Sequence, residues 1–283
     1  MVVQLSLRGE NGDTIAFDGS TYIARAGIAG FSIPPAEVRI DESAADGGIF
    51  RHARRAVRTV DIPITVVGDS RSAVEDSLRR VSRLLQAGSV TVVAVYEDGY
   101  SWELTGYYSG GAEGSRGDDE NDLFANWVLS LQCPDPYWKS QTSEQIILTN
   151  AGFSGRSLIP DLAELRVSSS NVIGNATINN TGDVEALPIV TFKGDIDTLE
   201  VTSSDGRGWT FNETILSTET ITVDSTNGTV VDATGANHYG SLAASPKMLR
   251  FPSGSSDLAV VATGATSSTV ITITWQIRKE VLH

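Results

Sequence analysis

The chain has 283 residues, roughly twice the size of a common single domain, so two domains are expected. Its formal net charge of −14 argues against a tight nucleic-acid binder, because an acidic chain repels phosphates. A single cysteine, Cys133, excludes an internal disulfide and a metal cluster built on cysteines.

The amino-terminal residues carry neither a basic leader nor the apolar core of a signal peptide. The longest apolar stretch, 90–96, is far shorter than the ~20 residues that cross a bilayer. We therefore expect a soluble protein with no membrane partner. The lack of disulfides fits synthesis in a bacterial cytoplasm.

The first part of the chain, 1–138, is predicted to mix strands with one helix. The strand candidates are rich in β-branched or aromatic residues and are bounded by Gly, Asp or Pro: 57–67, 89–96, 102–108 and 123–133. Between the second and the third, Asp98-Gly99 predicts a hairpin turn, because glycine accepts positive φ.

The helix is predicted at 70–86. Its apolar residues recur at spacings of four, three and four and form one stripe: Val74, Leu78, Val81 and Leu85. Asp69 or Ser70 is expected to cap its start, and Gly88 suits a left-handed stop just after its end.

A dense basic cluster precedes the first long predicted strand. It consists of Arg51, Arg54, Arg55 and Arg58, with His52. One interpretation is a contact with phosphate or with an acidic protein partner. The other is a solvated loop that leads into the strand, and charge alone favours this second interpretation.

The segment 133–138 reads Cys-Pro-Asp-Pro-Tyr-Trp and is the most distinctive in the chain. Its two prolines must end the preceding strand, because proline cannot donate to a β-ladder. Tyr137 and Trp138 then present two large rings just past the turn, which suits them to anchoring one domain on another. We take Pro136, Tyr137 and Trp138 as structural or interface candidates.

The remainder of the chain is predicted to be all β. Residues 139–162 are expected to be a linker or domain entry, and 163–283 a sandwich or jelly roll with no helix signal. Eight short strand candidates support this: 187–192, 198–202, 209–213, 220–224, 229–232, 247–251, 258–263 and 269–277.

No motif predicts catalysis, a cofactor or a metal site. A Ser–His–Asp arrangement around Asp232 and His238 is conceivable, but no nucleophile elbow of the form GxSxG accompanies it. The acidic alternation at 118–122, within the glycine-rich loop 106–122, lacks the glycine that a calcium loop needs. We therefore predict no catalytic, cofactor-binding or metal-binding residue, and no enzyme activity.

The segment Asp135-Pro136-Tyr137-Trp138 resembles the signature that closes the N-terminal domain of siphophage distal tail proteins. The order of the basic cluster, the strand after it and the helix resembles the ring-forming belt domain of that family. Downstream, 180–188 and 251–261 resemble passages of its galectin-like C-terminal sandwich. No His-x-Asn-Pro-Arg stretch of the sugar-binding galectins is present, so carbohydrate recognition does not follow from the fold.

The resemblance implies a mainly β protein with an α+β N-terminal belt domain and an all-β galectin-like C-terminal domain. It implies a structural subunit of the phage virion, made in the host cytoplasm, that forms a hexameric ring. The ring would join the tail tube protein to baseplate or fibre proteins, with DNA passing through its centre. The basic cluster would then pair with acidic surface on a neighbouring subunit.

Two other functions remain open at this stage. A carbohydrate-binding sandwich would use exposed aromatic rings, for which Trp209 and Tyr239 are the candidates. A hydrolase with a β-sandwich accessory domain is disfavoured by the shortage of histidine and the absence of a motif.

Overall fold

The computed structural model describes residues 4–43, 46–113, 121–149 and 172–282. This part of the chain contains eighteen strands and one α-helix, which confirms the predicted mainly β fold class. The chain divides into two compact units. Unit 1 comprises Met1–Gln141 and Arg278–His283, and unit 2 comprises Thr142–Ile277.

Unit 1 is built on antiparallel strands joined in the order β2-β1-β7-β8-β9-β6-β3. These and the separate pair β4 and β5 have the following bounds: β1 Gln4–Gly9, β2 Thr14–Ala16, β3 Tyr22–Ala24, β4 Ala36–Glu42, β5 Gly48–Arg55, β6 Arg58–Val67, β7 Ser89–Val95, β8 Ser101–Gly110 and β9 Phe124–Cys133. The first residues of β10, Trp138–Thr149, pair with β8.

The core of unit 1 follows from two periodicities. Alternate residues of β6 are fully buried: Val60, Ile62, Ile64 and Val66. Against this sheet packs helix α1, Arg71–Gln86, which buries Val74, Val81, Leu84 and Leu85. Ser70 caps the helix by accepting the backbone N–H of Ala73, and Gly88 adopts a φ of 116° just beyond its end.

Unit 2 consists of two antiparallel sheets around one core. The orders are β16-β15-β12-β18-β10 and β11-β17-β13-β14. The bounds are β11 Val172–Asn180, β12 Ile189–Lys193, β13 Thr198–Ser203, β14 Gly208–Phe211, β15 Thr220–Asp224, β16 Thr229–Asp232, β17 Gly254–Thr263 and β18 Val270–Lys279. The buried aromatic centre of this core contains Phe192, Phe211 and Phe251.

The structure departs from the predicted strands at two places in unit 2. The candidate strand 247–251 forms only isolated bridges, Gly208 with Lys247 and Ala186 with Phe251. Prolines flank it at 246 and 252, and proline cannot continue a ladder. Strand β11 was not predicted, because its sequence is rich in asparagine and glycine, which are poor strand formers.

The predicted division into 1–138, a linker at 139–162 and 163–283 stays a prediction. Strand β10 occupies 139–149, and residues 150–162 lie outside the described residues, as does the acidic run 118–120. Residues from Arg278 onward belong to unit 1, because their polar contacts are made with residues of that unit. No helix in the described part of the chain is long and apolar enough to cross a membrane.

Candidate functional site: an exposed hairpin and its anchor

Strands β4 and β5 form a hairpin that we call the arm. They pair with each other from Ala36 opposite Arg55 to Glu42 opposite Gly48. Within the described residues neither strand pairs with any other, and almost every residue of both is exposed. A hairpin of only two strands is marginally stable in water, so the arm is expected to require a partner surface.

The two faces of the arm differ in chemistry. One face carries Val38 and Ile40, which lie opposite Ala53 and Phe50. Val38, Ile40 and Phe50 are 53%, 59% and 62% exposed. Adjacent exposed apolar side chains of this kind mark a surface that binds another molecule.

The other face of the arm is held by ion pairs. The carboxylate of Glu37 accepts a hydrogen bond from the guanidinium of Arg54 at 2.7 Å. The carboxylate of Asp41 accepts one from the guanidinium of Arg51 at 2.6 Å. Arg51 is the extra residue of a bulge, because Arg39 lies opposite His52 while Ile40 lies opposite Phe50. The pairs are solvent-exposed, so they set the register of the arm more than they stabilise it.

The four arginines predicted as one basic cluster therefore lie in two environments. Arg51 and Arg54 are on the exposed arm, within strand β5 and not in a solvated loop. Arg55, at the base of the arm, donates two hydrogen bonds to the carboxylate of Glu280, at 3.0 and 2.9 Å. Arg58 is 1% exposed.

Arg58 ties three segments of unit 1 together. Its guanidinium donates to the carbonyl oxygens of Gly30 at 2.6 Å, Ser32 at 2.9 Å and Glu280 at 2.6 Å. Gly30 adopts a φ of 91°, and a Cβ there would lie 2.4 Å from the carbonyl oxygen of Thr59. Burial lowers the pKa of Arg58, although Glu280 and Asp135 oppose that shift. Guanidinium nevertheless stays charged in proteins.

The Asp-Pro-Tyr-Trp segment lies beside this anchor. Asp135 accepts the backbone N–H of Tyr137 at 3.3 Å and the side chains of Arg278 at 2.7 Å and Lys139 at 3.0 Å. The guanidinium of Arg278 lies 4.7 Å from the centroid of the Tyr137 ring. Burial alone would raise the pKa of Asp135, but the two cations outweigh it and hold that pKa below its ordinary value.

The remaining candidates of this segment have structural contacts within unit 1. Trp138 is fully buried, and its ring centroid lies 4.7 Å from that of Phe31. Pro136 is half-buried in the turn between β9 and β10. Cys133 is also fully buried, and burial raises the pKa of its thiol to about 12, so it stays protonated.

His238 lies between two carboxylates. Its Nδ1 lies 2.9 Å from Glu213 and its Nε2 lies 3.7 Å from Asp232. Ser241 donates its hydroxyl to Glu213, so the serine and the histidine share one carboxylate. In the described ranges, no group of three acidic, histidine or cysteine side chains is arranged to hold a metal ion.

The predicted aromatic candidates for sugar binding differ in exposure. Trp209 is 3% exposed and stacks on Phe192, so its ring offers no face to a ligand. Tyr239 is 44% exposed in the 3₁₀ turn Tyr239–Ser241.

Sequence reasoning missed the apolar face of the arm and the segment that anchors it. The alternation of Val38 and Ile40 with charged residues was a usable strand signal. No sequence signal pairs Arg55 and Arg58 with Glu280, because these contacts join residues more than two hundred positions apart.

Comparison with solved structures identifies the fold. The Dit protein of phage SPP1, described as a paradigm of the hub adsorption apparatus in phages that infect Gram-positive bacteria, is 17% identical with a TM-score of 0.67. That match covers 98% of this chain and 99% of the other.

A chain of the phage P2 baseplate, in its activated conformation with calcium, is 10% identical with a TM-score of 0.59. The match covers all of both chains. The corresponding baseplate with strontium is 9% identical with the same TM-score. No family model matches the sequence, and no curated protein matches it. At these identities the likeness shows the fold, which is that of phage tail hub and baseplate proteins.

Proposed function

We propose that the chain is a non-enzymatic structural subunit of a phage tail tip, a distal tail protein that assembles as a hexameric ring through its arm. The exposed apolar face of the arm carries this proposal. The full-length likeness in fold to the Dit hub protein and to a baseplate chain supports it.

The reason for assembly lies in the composition of the arm. The three large side chains of its apolar face, Val38, Ile40 and Phe50, have no core of their own to enter. Full burial of each side chain would contribute about 1.5–3 kcal/mol to the free energy of association. An exposed hairpin with unpaired strand edges would otherwise promote aggregation. A neighbouring subunit that covers this face supplies the missing core.

In this proposal the ring joins the tail tube to baseplate or fibre proteins and lets DNA pass through its centre. The net charge of −14 suits such a channel, because phosphates would not adhere to its wall. The subunit would be made in the host cytoplasm and reside in the virion.

The arginines of the arm would contribute specificity. Arg54 pairs with Glu37 of the same arm, whereas Arg55 pairs with Glu280. A charge reversal at Arg54 therefore alters only the exposed face, while one at Arg55 also releases the base of the arm. We expect Arg54→Glu with Arg55→Glu to loosen the ring, and the two single variants to separate these effects.

The solution mass by light scattering after size exclusion tests the proposal. The chain is 30.1 kDa, so a ring of six would be roughly 180 kDa under cyclic symmetry. Ile40→Glu with Phe50→Glu should reduce the mass to that of the monomer while unfolding stays cooperative. A wild-type chain that remains at 30.1 kDa at every concentration would contradict self-assembly.

A further inference from the structure

Unit 2 contains an open cavity at the edge of strand β14. The cavity has a volume of about 220 Å³ and is open to solvent. It is lined by strands β13 and β14, by the turn between them and by the segment 243–246, which we call the bow. Pockets for drug-sized ligands measure about 300–1,000 Å³, so this cavity has room for a single small ring.

The cavity exists because the bow stands away from the edge of β14. Before the bow begins along β14, Gly208 and Lys247 exchange two backbone hydrogen bonds, at 3.0 and 2.9 Å. At the other end of the bow, Ala243 donates to the carbonyl oxygen of Thr210 at 2.8 Å. Ser245, within the bow, has a φ of 61° and is the only non-glycine residue of the described chain with positive φ. Backbone strain of this kind is frequent at binding sites.

The backbone N–H of Thr210 points toward the bow. In a strand the N–H and the C=O of one residue point to the same side, and the C=O of Thr210 accepts the N–H of Ala243. Among the described residues, no backbone oxygen of the bow accepts the N–H of Thr210. A group of this kind needs water or a ligand as its acceptor, so the edge of β14 offers one donor to the cavity.

The side chains of the cavity supply oxygen atoms. Glu200 contributes a carboxylate, and Thr202 and Thr210 contribute hydroxyl groups. Glu200 lies directly opposite Thr210 in the pairing of β13 with β14. The hydroxyl of Thr202 donates to the carboxylate of Glu200 at 3.3 Å, which orients the carboxylate and leaves the hydroxyl oxygen as an acceptor.

Two glycines leave part of the lining as bare backbone. A Cβ at Gly208 would lie 2.4 Å from the carbonyl oxygen of Val201, so no side chain is accommodated there. Gly206 adopts a φ of 78°, which favours glycine. A flat ligand can therefore approach the backbone closely. The alanines of the bow and Pro246 add small apolar groups to the opposite wall.

The lining selects the class of ligand. The carboxylate of Glu200 repels anions, and an apolar ligand would leave the polar groups of the cavity without partners. A sugar ring carries hydroxyl groups that donate to a carboxylate in strong, charge-assisted hydrogen bonds and accept from N–H and O–H groups. Its C–H groups suit the small apolar wall. A neutral sugar therefore matches the donors, the acceptors and the size of the cavity.

We infer that this cavity binds one neutral pyranose residue of a glycan, with the sugar hydroxyl groups on Glu200, Thr202 and Thr210. The binding is independent of the proposed function, because a single subunit carries the complete cavity. The described lining exposes no aromatic ring for stacking, so one site should bind with a Kd of about 1–10 mM. In the proposed ring, several such sites could act together on one polymer.

Saturation-transfer difference NMR on the full chain tests the inference. The probes are glucose, galactose, mannose, rhamnose and N-acetylglucosamine, each at about 10 mM. At least one should receive saturation, whereas sorbitol, a linear polyol without a ring, should not. The trisaccharide of the sugar that binds should bind at least as well, because the cavity is open to solvent. Binding of the free sugar alone would overturn the assignment to a glycan.

Variants of the lining locate the binding. Glu200→Gln should raise the Kd by about tenfold or more, because it removes a charged hydrogen-bond acceptor. Thr210→Val should also weaken binding and tests the same cavity should the first variant fail to fold. Glu144→Gln is the matched control, because Glu144 is exposed on β10 outside the cavity, and its Kd should equal that of the wild type.

The outcomes for the cavity and for the ring are distinguishable. The arm variant Ile40→Glu with Phe50→Glu should bind the sugar like the wild type even as a monomer. A wild type that binds none of the sugars overturns the inference and leaves the proposed ring in place. Folded Glu200→Gln and Thr210→Val chains that bind like the wild type place the sugar elsewhere and also overturn it.

Discussion

At the scale of single residues, Arg58 is expected to stabilise unit 1 by joining three of its segments. Its three hydrogen bonds, all part-buried, go to the carbonyl oxygens of Gly30, Ser32 and Glu280. Arg58→Met leaves these acceptors without the guanidinium and should lower the free energy of unfolding by about 1–3 kcal/mol. Urea unfolding measures this change in the free energy of unfolding. The control is Arg54→Met, at an exposed position, whose free energy of unfolding should lie within about 0.5 kcal/mol of wild type. A loss below about 1 kcal/mol for Arg58→Met would refute the anchoring role.

His238 is expected to make unit 2 sensitive to pH. The hydrogen bond with Glu213 raises the pKa of His238 above its ordinary value of 6.5, and Asp232 adds to this shift. A raised folded-state pKa means that the stabilisation is complete below the ordinary value and is lost as pH rises through the raised one. This contribution to the unfolding temperature should thus be greatest below about pH 6.5 and decrease as the pH rises through the raised pKa.

His238→Gln should remove this part of the pH dependence. His52→Gln serves as its control, because His52 is exposed on the arm. Parallel pH profiles of wild type and His238→Gln between about pH 5.5 and 8 would show that the histidine does not titrate with folding.

At the scale of structural elements, the arm should depend on the segment that follows β18. Arg55 and Glu280 form a two-point ion pair that joins the base of the arm to that segment. Glu280→Gln keeps the backbone carbonyl that Arg58 uses but weakens this pair. We expect the ring to dissociate at higher protein concentration in Glu280→Gln than in Glu37→Gln, whose pair with Arg54 stays within the arm. Equal dissociation of the two variants on dilution would exclude a role for this tie.

Elements with their own buried face were predicted from the sequence, and the arm was missed. The apolar stripe of α1 and the alternation of apolar residues in β6 both result from burial against the core of the same chain. The alternation of Val38 and Ile40 with charged residues indicates a strand, but nothing in the sequence shows that the strand stays exposed and pairs only with β5. The arginine cluster was visible as residues, but its division between Glu37, Asp41 and Glu280 depends on tertiary contacts.

At the scale of the whole molecule, all parts of the proposed interface belong to unit 1. The arm, Arg58 and the anchoring segment from Arg278 onward lie within Met1–Gln141 and Arg278–His283. Unit 2 has a separate core, centred on Phe192, Phe211 and Phe251. Assembly should therefore not require unit 2.

Replacing 142–277 with a flexible Gly/Ser linker of about ten residues tests this division. The shortened chain should unfold cooperatively and assemble into the same number of copies as the wild type, because it keeps the arm and the Arg55–Glu280 ion pair. The same chain with Phe50→Glu should be monomeric, which ties its assembly to the arm. A shortened chain that folds but stays monomeric would place an essential ring contact in unit 2 and would contradict an interface confined to unit 1.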